Sequence, residues 1–207
     1  MHSSYSEFMK HGHGKTGPWF DLANSEEWDI HGIRTDHFEN PAWLPFFLRR
    51  WKFARPNHAP FPVAKWKKHR AILRQICETA ARHKPIPTAD VHALNQALRL
   101  AGHMQLLQRQ NGLQLEFVTE ISGWDRILAE TARSFADILS QGHPARIKIC
   151  RNPNCRWVFY DKTKAKSRCW CDDKSCGNRE RVRQSRARSK RQFVPRPNRT
   201  LPAKGIL

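Results

Sequence analysis

Acidic residues are scarce in this chain, with 18 Asp and Glu against 37 Lys and Arg among 207 residues, a formal charge of +19 with histidine neutral. That shortfall excludes a self-neutralised surface and calls for a polyanionic partner. Long apolar runs are missing too. Nothing approaches the ~18 uncharged apolar residues of a membrane span, and the first fifteen residues lack the apolar core of a secretory signal. A cytoplasmic, nucleoid-associated protein is therefore expected. The length suits one domain with an appendage or two small domains, and 39% hydrophobic residues supply one real core. The chain also lacks a nucleophile–base arrangement, a phosphate-cradling glycine loop and an HExxH motif, so no catalytic activity is expected. His2, His11 and His13 sit in a polar N-terminus, and the other histidines show no ligand spacing. Asp21, Asp29 and Asp36 read as solvated or capping groups rather than a catalytic cluster.

What the chain does have is unevenly placed. Residues 1–144 carry a net +4 and residues 145–207 a net +15, and five of the six cysteines share that last stretch. Two modules are implied, joined near Gly142-His143-Pro144. In the first, residues 18–24 fit a short buried strand but are too few for periodicity to separate strand from helix, and a short helix should begin near Pro45 because prolines limit the segment before it. Residues 62–83 contain no internal proline and space Trp66, Leu73, Ile76, Cys77 and Ala80 as one helical face. Thr88 is a candidate N-cap for a helix carrying Val91, Leu94, Leu98 and Ala101. Alternation on both sides of Asn111-Gly112 predicts a hairpin on a type I′ turn. Ser122 can cap a last helix with an apolar stripe from Trp124 to Leu139.

The second module has metal-ligand spacing: Cys150-x4-Cys155-x15-Cys171-x4-Cys176. A tetrahedral zinc needs four converging thiolates, and two tight turns offering two each supply them. Five cysteines so close together in a reducing compartment fit neither core packing nor disulfides. Cys169 is surplus; it stands as an alternative ligand, although Cys171 preserves the symmetric spacing. Between the pairs, Arg156 to Tyr160 alternates as a strand, with the basic run Lys162 to Arg168 as an exposed turn. A helix is expected from about Asn178 to Gln192. At 100° per residue Arg179, Arg183, Arg186 and Lys190 form a cationic rail, Arg181, Arg188 and Arg191 add charge around it, and Val182, Ser189 and Phe193 should dock on the zinc hairpin. These seven basic residues, Arg179, Arg181, Arg183, Arg186, Arg188, Lys190 and Arg191, are the candidate nucleic-acid contacts.

At Cys176-Gly177-Asn178-Arg179 the chain resembles the CGNR zinc-finger family, bacterial proteins regarded as transcription regulators. Cys150-Arg151-Asn152-Pro153-Asn154-Cys155, Phe159-Tyr160-Asp161 and Arg168-Cys169-Trp170-Cys171 stand in the family's order. By position, the resemblance makes Cys150, Cys155, Cys171 and Cys176 the ligands of one structural Zn²⁺. Residues 18–140 resemble, more weakly, the family's N-terminal stress-induced-regulator domain, ABATE, through Leu22-Ala23-Asn24-Ser25 and Leu94-Asn95. What this implies is an α+β protein: a mainly helical N-terminal domain with a β-hairpin, then a small zinc-binding hairpin-plus-helix module. The expected organisation is a flexible N-terminus over 1–17, a sensor or assembly domain over 18–143, the finger with its basic helix over 144–193, and a basic proline-containing tail over 194–207. The expected function is a DNA-binding transcription regulator, with double-stranded DNA as partner. An RNA-binding or ribosome-associated zinc protein is the alternative, with Trp157, Phe159, Tyr160 and Trp170 as stacking residues. A small-molecule effector and a homodimer are compatible with the sequence, and no membrane partner is expected.

Overall fold

Pro18 opens a helix, α1 (Pro18–Ala23), where a strand is expected from the sequence. Proline fits the first turn of a helix because the N–H it lacks has no intrahelical partner there. All six residues of this turn are buried, so no alternation or one-sided stripe exists for sequence periodicity to detect. These coordinates are a computed structural model that describes residues 17–29, 32–57, 59–99, 102–110, 112–118, 121–141 and 143–192. The expected N-terminal arm up to residue 16 and the tail from 193 lie outside the described residues.

A short antiparallel pair, β1 (Glu26–Trp28) and β2 (Arg34–Asp36), follows, then α2 (Trp43–Arg50), with Pro45 accommodated in its first turn. The long helix expected over 62–83 is α3 (Val63–Ala81). The next, α4 (Thr88–Leu98), starts one residue away from expectation: extended Pro87 is its N-cap, and Thr88 is already helical and does not cap with its side chain. The hairpin is present as β3 (His103–Arg109) and β4 (Gly112–Val118). Its register pairs Arg109 with Gly112, so the two-residue loop is Gln110-Asn111 rather than Asn111-Gly112, and Gly112, at φ +107°, takes the left-handed position at the strand start. The turn type depends on Asn111, outside the described residues. Helix α5 (Gly123–Ser140) follows Ser122, which is the N-cap by position but whose side chain accepts no capping hydrogen bond.

Aromatic side chains fill the core. Trp19, Trp43, Phe47, Trp66 and Phe135 are fully buried, Trp43 stacks on Phe47 at 5.0 Å, and Phe61 meets Trp66 and Trp124 edge-on. Below them lies an ionic clamp: Arg70 on α3 donates two bonds, at 2.8 and 3.0 Å, to the Asp36 carboxylate, with Lys67 at 2.8 Å. Arg70 also bonds the Ser25 hydroxyl and carbonyl, tying α3 to the end of α1. Arg70 and Lys67, first among the forces lowering it, hold the Asp36 carboxyl well below the usual carboxylate range against the cost of its burial.

The C-terminal module packs onto this framework. Its hairpin consists of β5 (Ile147–Ile149) and β6 (Val158–Tyr160), paired antiparallel and laid against α3. Ile147, Trp157, Val158 and Phe159 belong to the same buried cluster as the N-terminal tryptophans. The partner of the 156–160 segment is thus the strand before the first cysteine pair, not one formed after the basic run. A strand of three residues preceding Cys150 is too short to show alternation, which is why the sequence conceals it.

Candidate metal centre and nucleic-acid interface

The β5–β6 hairpin is closed by the first cysteine turn. Cys150 donates its backbone N–H to the Trp157 carbonyl, and Cys155 to that of Asn152, folding Asn152-Pro153-Asn154 into a knuckle with Cys150 and Cys155 at its base. The second pair arrives on a different element. After Cys171 the chain makes one π-helical turn (Asp173–Gly177) that contains Cys176 and runs directly into α6 (Asn178–Gln192). Asp172 starts that turn, its carboxylate accepting from the Ser175 N–H at 2.7 Å.

All four sulfurs lie within 4.8 Å of one another, with Cys155–Cys171 at 3.6 Å and Cys171–Cys176 at 3.7 Å. A tetrahedron with arms of about 2.3 Å has edges of about 3.8 Å, so the donor set fits a single Zn²⁺ in number, chemistry and spacing. Bound there, zinc would act as a structural cross-link between knuckle and helix. The four thiols do not ionise independently. Hydrogen bonds from neighbouring thiols lower the Cys150 and Cys176 values, while bonds to Cys150, ahead of burial, raise those of Cys155 and Cys171. Asn152 adds support from outside the ligand set, its Nδ2 standing 3.6 Å from the Cys176 sulfur. Among the described residues this is the only group of histidine, cysteine or carboxylate side chains arranged to hold a metal. Cys169 is excluded from it: its thiol turns to the Ser167 carbonyl at 3.3 Å.

Several motif residues outside the ligand set build this centre, in roles that the sequence does not assign. Asp161 is fully buried and accepts from the Thr163 N–H, the Thr163 hydroxyl and the Arg168 N–H, with Lys148 at 3.1 Å. The bonds from Thr163 lead in holding its carboxyl down at about 2 despite burial. One carboxylate therefore shapes the whole basic loop from 162 to 168. Arg168 lies over the Phe159 ring and donates to the Trp170 and Cys171 carbonyls, delivering Cys171 to the site. Gly177 sits in a crowded position: a Cβ there would stand 2.5 Å from an Asp173 carboxylate oxygen, the end of an exposed side chain, and 3.1 Å from the Trp170 ring.

Helix α6 follows from the centre and is otherwise exposed. Its principal contact is with the π-helical turn, and every described side chain from Arg181 to Ser189 is exposed. Val182 is 41% exposed, so the expected docking of Val182 and Ser189 on the zinc hairpin does not occur; Phe193 lies outside the described residues. The physical reason is that the hairpin has already spent its apolar face on α3, leaving none for α6. The arginines fall into two groups. Arg181 forks onto Asp173 at 3.0 and 3.2 Å, and Arg183 onto Glu180 at 2.6 and 2.8 Å. Arg179, Arg186 and Arg188 have no acidic partner among the described residues. Helix α6 includes Lys190 and Arg191, whose side chains lie outside the described ones. Trp157 and Phe159 are 4% and 3% exposed, which removes them as platforms for stacking unpaired bases.

Comparison with known families agrees with this construction. The profile of the CGNR zinc finger matches residues 146–189, and that of ABATE, described as "Putative stress-induced transcription regulator", matches residues 17–142. The chain belongs to the ABATE and CGNR zinc-finger family. No curated protein matches the chain significantly. The ABATE segment and the CGNR finger are joined by more than their covalent link. The Asn24 side-chain amide donates to the Val158 carbonyl at 3.0 Å and accepts from the Val158 N–H at 2.9 Å, pairing with β6 as another strand would. Arg74 donates to the Ala23 carbonyl at 2.8 Å and the Arg156 carbonyl at 2.9 Å, bridging the same two modules. The Leu-Ala-Asn-Ser motif that marks the family in sequence thus contains, in Asn24, a residue that holds the finger. Among the described residues no helix is long and apolar enough to cross a membrane.

Proposed function

We propose that the protein is a DNA-binding transcription regulator whose CGNR finger presents α6 to the major groove of duplex DNA. The observation that carries this reading is a cationic helix, fixed at its N-terminal end through a metal-ligand turn, exposed along its length and retaining unpaired arginines. A helix kept off the protein body at the entropic and electrostatic cost of clustered like charges is well suited to an anionic partner. Arg179, Arg186 and Arg188 are the first contacts in this reading; Arg181 and Arg183 exchange an internal carboxylate for a phosphate, and Lys190 and Arg191 extend the interface. Val182 and Ala187 line a shallow depression beside Arg179 and Arg186, an apolar patch suited to a thymine methyl group.

The test is duplex binding of zinc-loaded protein across a salt series. About six phosphate contacts give a slope of log K against log salt near −5. Replacing Arg179 and Arg186 together by Ala should weaken binding and bring the slope about 2 closer to zero, with zinc content unchanged. A slope near zero in the parent, or identical slopes in both proteins, would move the interface elsewhere. Selection from a random duplex pool then separates a sequence-specific regulator from a general DNA binder, and a paired motif would reveal a homodimer. Competition with structured RNA tests the alternative partner, and nucleoid association in the cell follows from the same reading.

A further inference from the structure

Between the C-terminal end of α3 and the outer flank of the zinc knuckle lies an open cleft of about 610 Å³, lined by none of the α6 residues just discussed. Arg82 and His83 stand on the α3 side, Arg151 and Arg156 on the knuckle, and Lys148, Lys166 and Arg168 on the hairpin and basic loop. Glu78 is the only acid in its lining. Some of these cations have internal duties: Arg156 bonds Glu78 at 3.3 Å, Lys148 pairs with Asp161, and Arg168 supports Trp170 and Cys171. Two do not: Arg151 and Lys166 have no side-chain partner among the described residues, and Arg82 has only a long ion pair with Glu78, at 3.9 Å.

The backbone gives an independent reason to single out this cleft. Four non-glycine residues among those described adopt positive φ, and three of them, His83 at 55°, Arg156 at 52° and Lys166 at 51°, line it. Such a conformation costs about 1 kcal/mol at an L-residue. His83 takes the left-handed position that closes α3, with the Lys84 N–H bonded to the Thr79 carbonyl, and Arg156 and Lys166 bear the cost where the cleft gathers its cations.

We infer that the cleft binds a small diphosphate-bearing molecule, held by Arg82, Arg151 and Lys166. Glu78 is shared by Arg82 and Arg156, which leaves Arg151 and Lys166 without a counter-charge, and guanidinium forks match phosphate oxygens in geometry. The volume exceeds that needed for inorganic phosphate alone and accommodates a nucleotide-sized ligand. Because the walls come from the ABATE segment and the CGNR finger, occupancy would bear on how the two modules meet.

The experiment is isothermal titration of the full-length, zinc-loaded protein with ADP and, separately, inorganic pyrophosphate, at fixed ionic strength with zinc content measured before and after. One molecule of each should bind per chain, since the diphosphate is the shared element. The Arg82→Ala/Lys166→Ala variant changes two exposed side chains and should keep the parent's melting temperature while losing affinity about tenfold or more. The Arg179→Ala/Arg186→Ala variant should bind as the parent does. Equal losses in both variants would mean diffuse attraction to a basic protein and overturn the site, as would unchanged affinity in the cleft variant or ADP binding without pyrophosphate binding. Neither variant's behaviour toward ADP depends on whether α6 binds DNA, so the two readings fail separately.

Discussion

At the scale of single residues, burial decides which ionisable groups the fold carries at a cost. Asp21 is 1% exposed, and desolvation pushes its carboxyl up to about 6, outweighing Arg50 at 3.1 Å and the Trp51 indole N–H at 2.7 Å. Between pH 6 and 3.8 the folded protein therefore takes up this proton before the unfolded chain does, and stability gains as pH falls through that window. His69 acts oppositely: burial pulls it down to about 4, so its contribution is full above its ordinary 6.5 and is lost on acidification toward 4. An Asp21→Asn variant lacks the first effect only. Its stability relative to the parent should fall by on the order of 3 kcal/mol between pH 7 and pH 4. Urea midpoints at both pH values measure it; a pH-independent difference would contradict the raised carboxyl. Gly177 shows the same dependence on surroundings, since the position is crowded by Asp173 and Trp170 and not set by a left-handed backbone.

At the scale of elements, α6 depends on the metal centre for its starting geometry. The π-helical turn leads from Cys176 straight into the helix, and Asp173 in that turn holds Arg181 near the start of the helix. Sequence periodicity identifies the helix and its charge, yet it misassigns the Val182 side, because a helical wheel shows which residues share a face and not whether any surface remains to receive them. Cys176→Ser should abolish zinc retention and loosen this turn, since zinc binding and folding are coupled by about 10–16 kcal/mol in zinc-finger peptides. Zinc stoichiometry and helix content after gel filtration check it; full zinc retention would contradict the ligand assignment.

At the scale of the molecule, the two segments that differ so sharply in charge share one hydrophobic cluster. Asn24 completes the edge of β6, and its replacement leaves the Val158 N–H and carbonyl without partners in a buried site. Asn24→Ala should cost roughly 3 kcal/mol in the zinc-loaded protein. Because the modules are packed together, tryptophan fluorescence and helical circular dichroism should report one coincident, shifted transition. A loss seen by one probe alone would mean that the modules unfold separately.

The sequence by itself determined the helices with long one-sided stripes, the β-hairpin, the four-thiol zinc set and the concentration of positive charge after Cys176, because periodicity, ligand spacing and charge are all recorded along the chain. It could not determine the helical form of Pro18–Ala23, which is buried on every side, or the pairing of β5 with β6, whose strands are three residues long. Nor could it separate the arginines of α6 held by Asp173 and Glu180 from those left free. Only the tertiary structure decided that Asn24 and Arg74 clamp the finger, that Cys169 turns away from the metal site, and that Arg82 shares one cleft with Arg151 and Lys166. Each of these rests on contacts between residues distant in sequence, and local pattern carries no record of them.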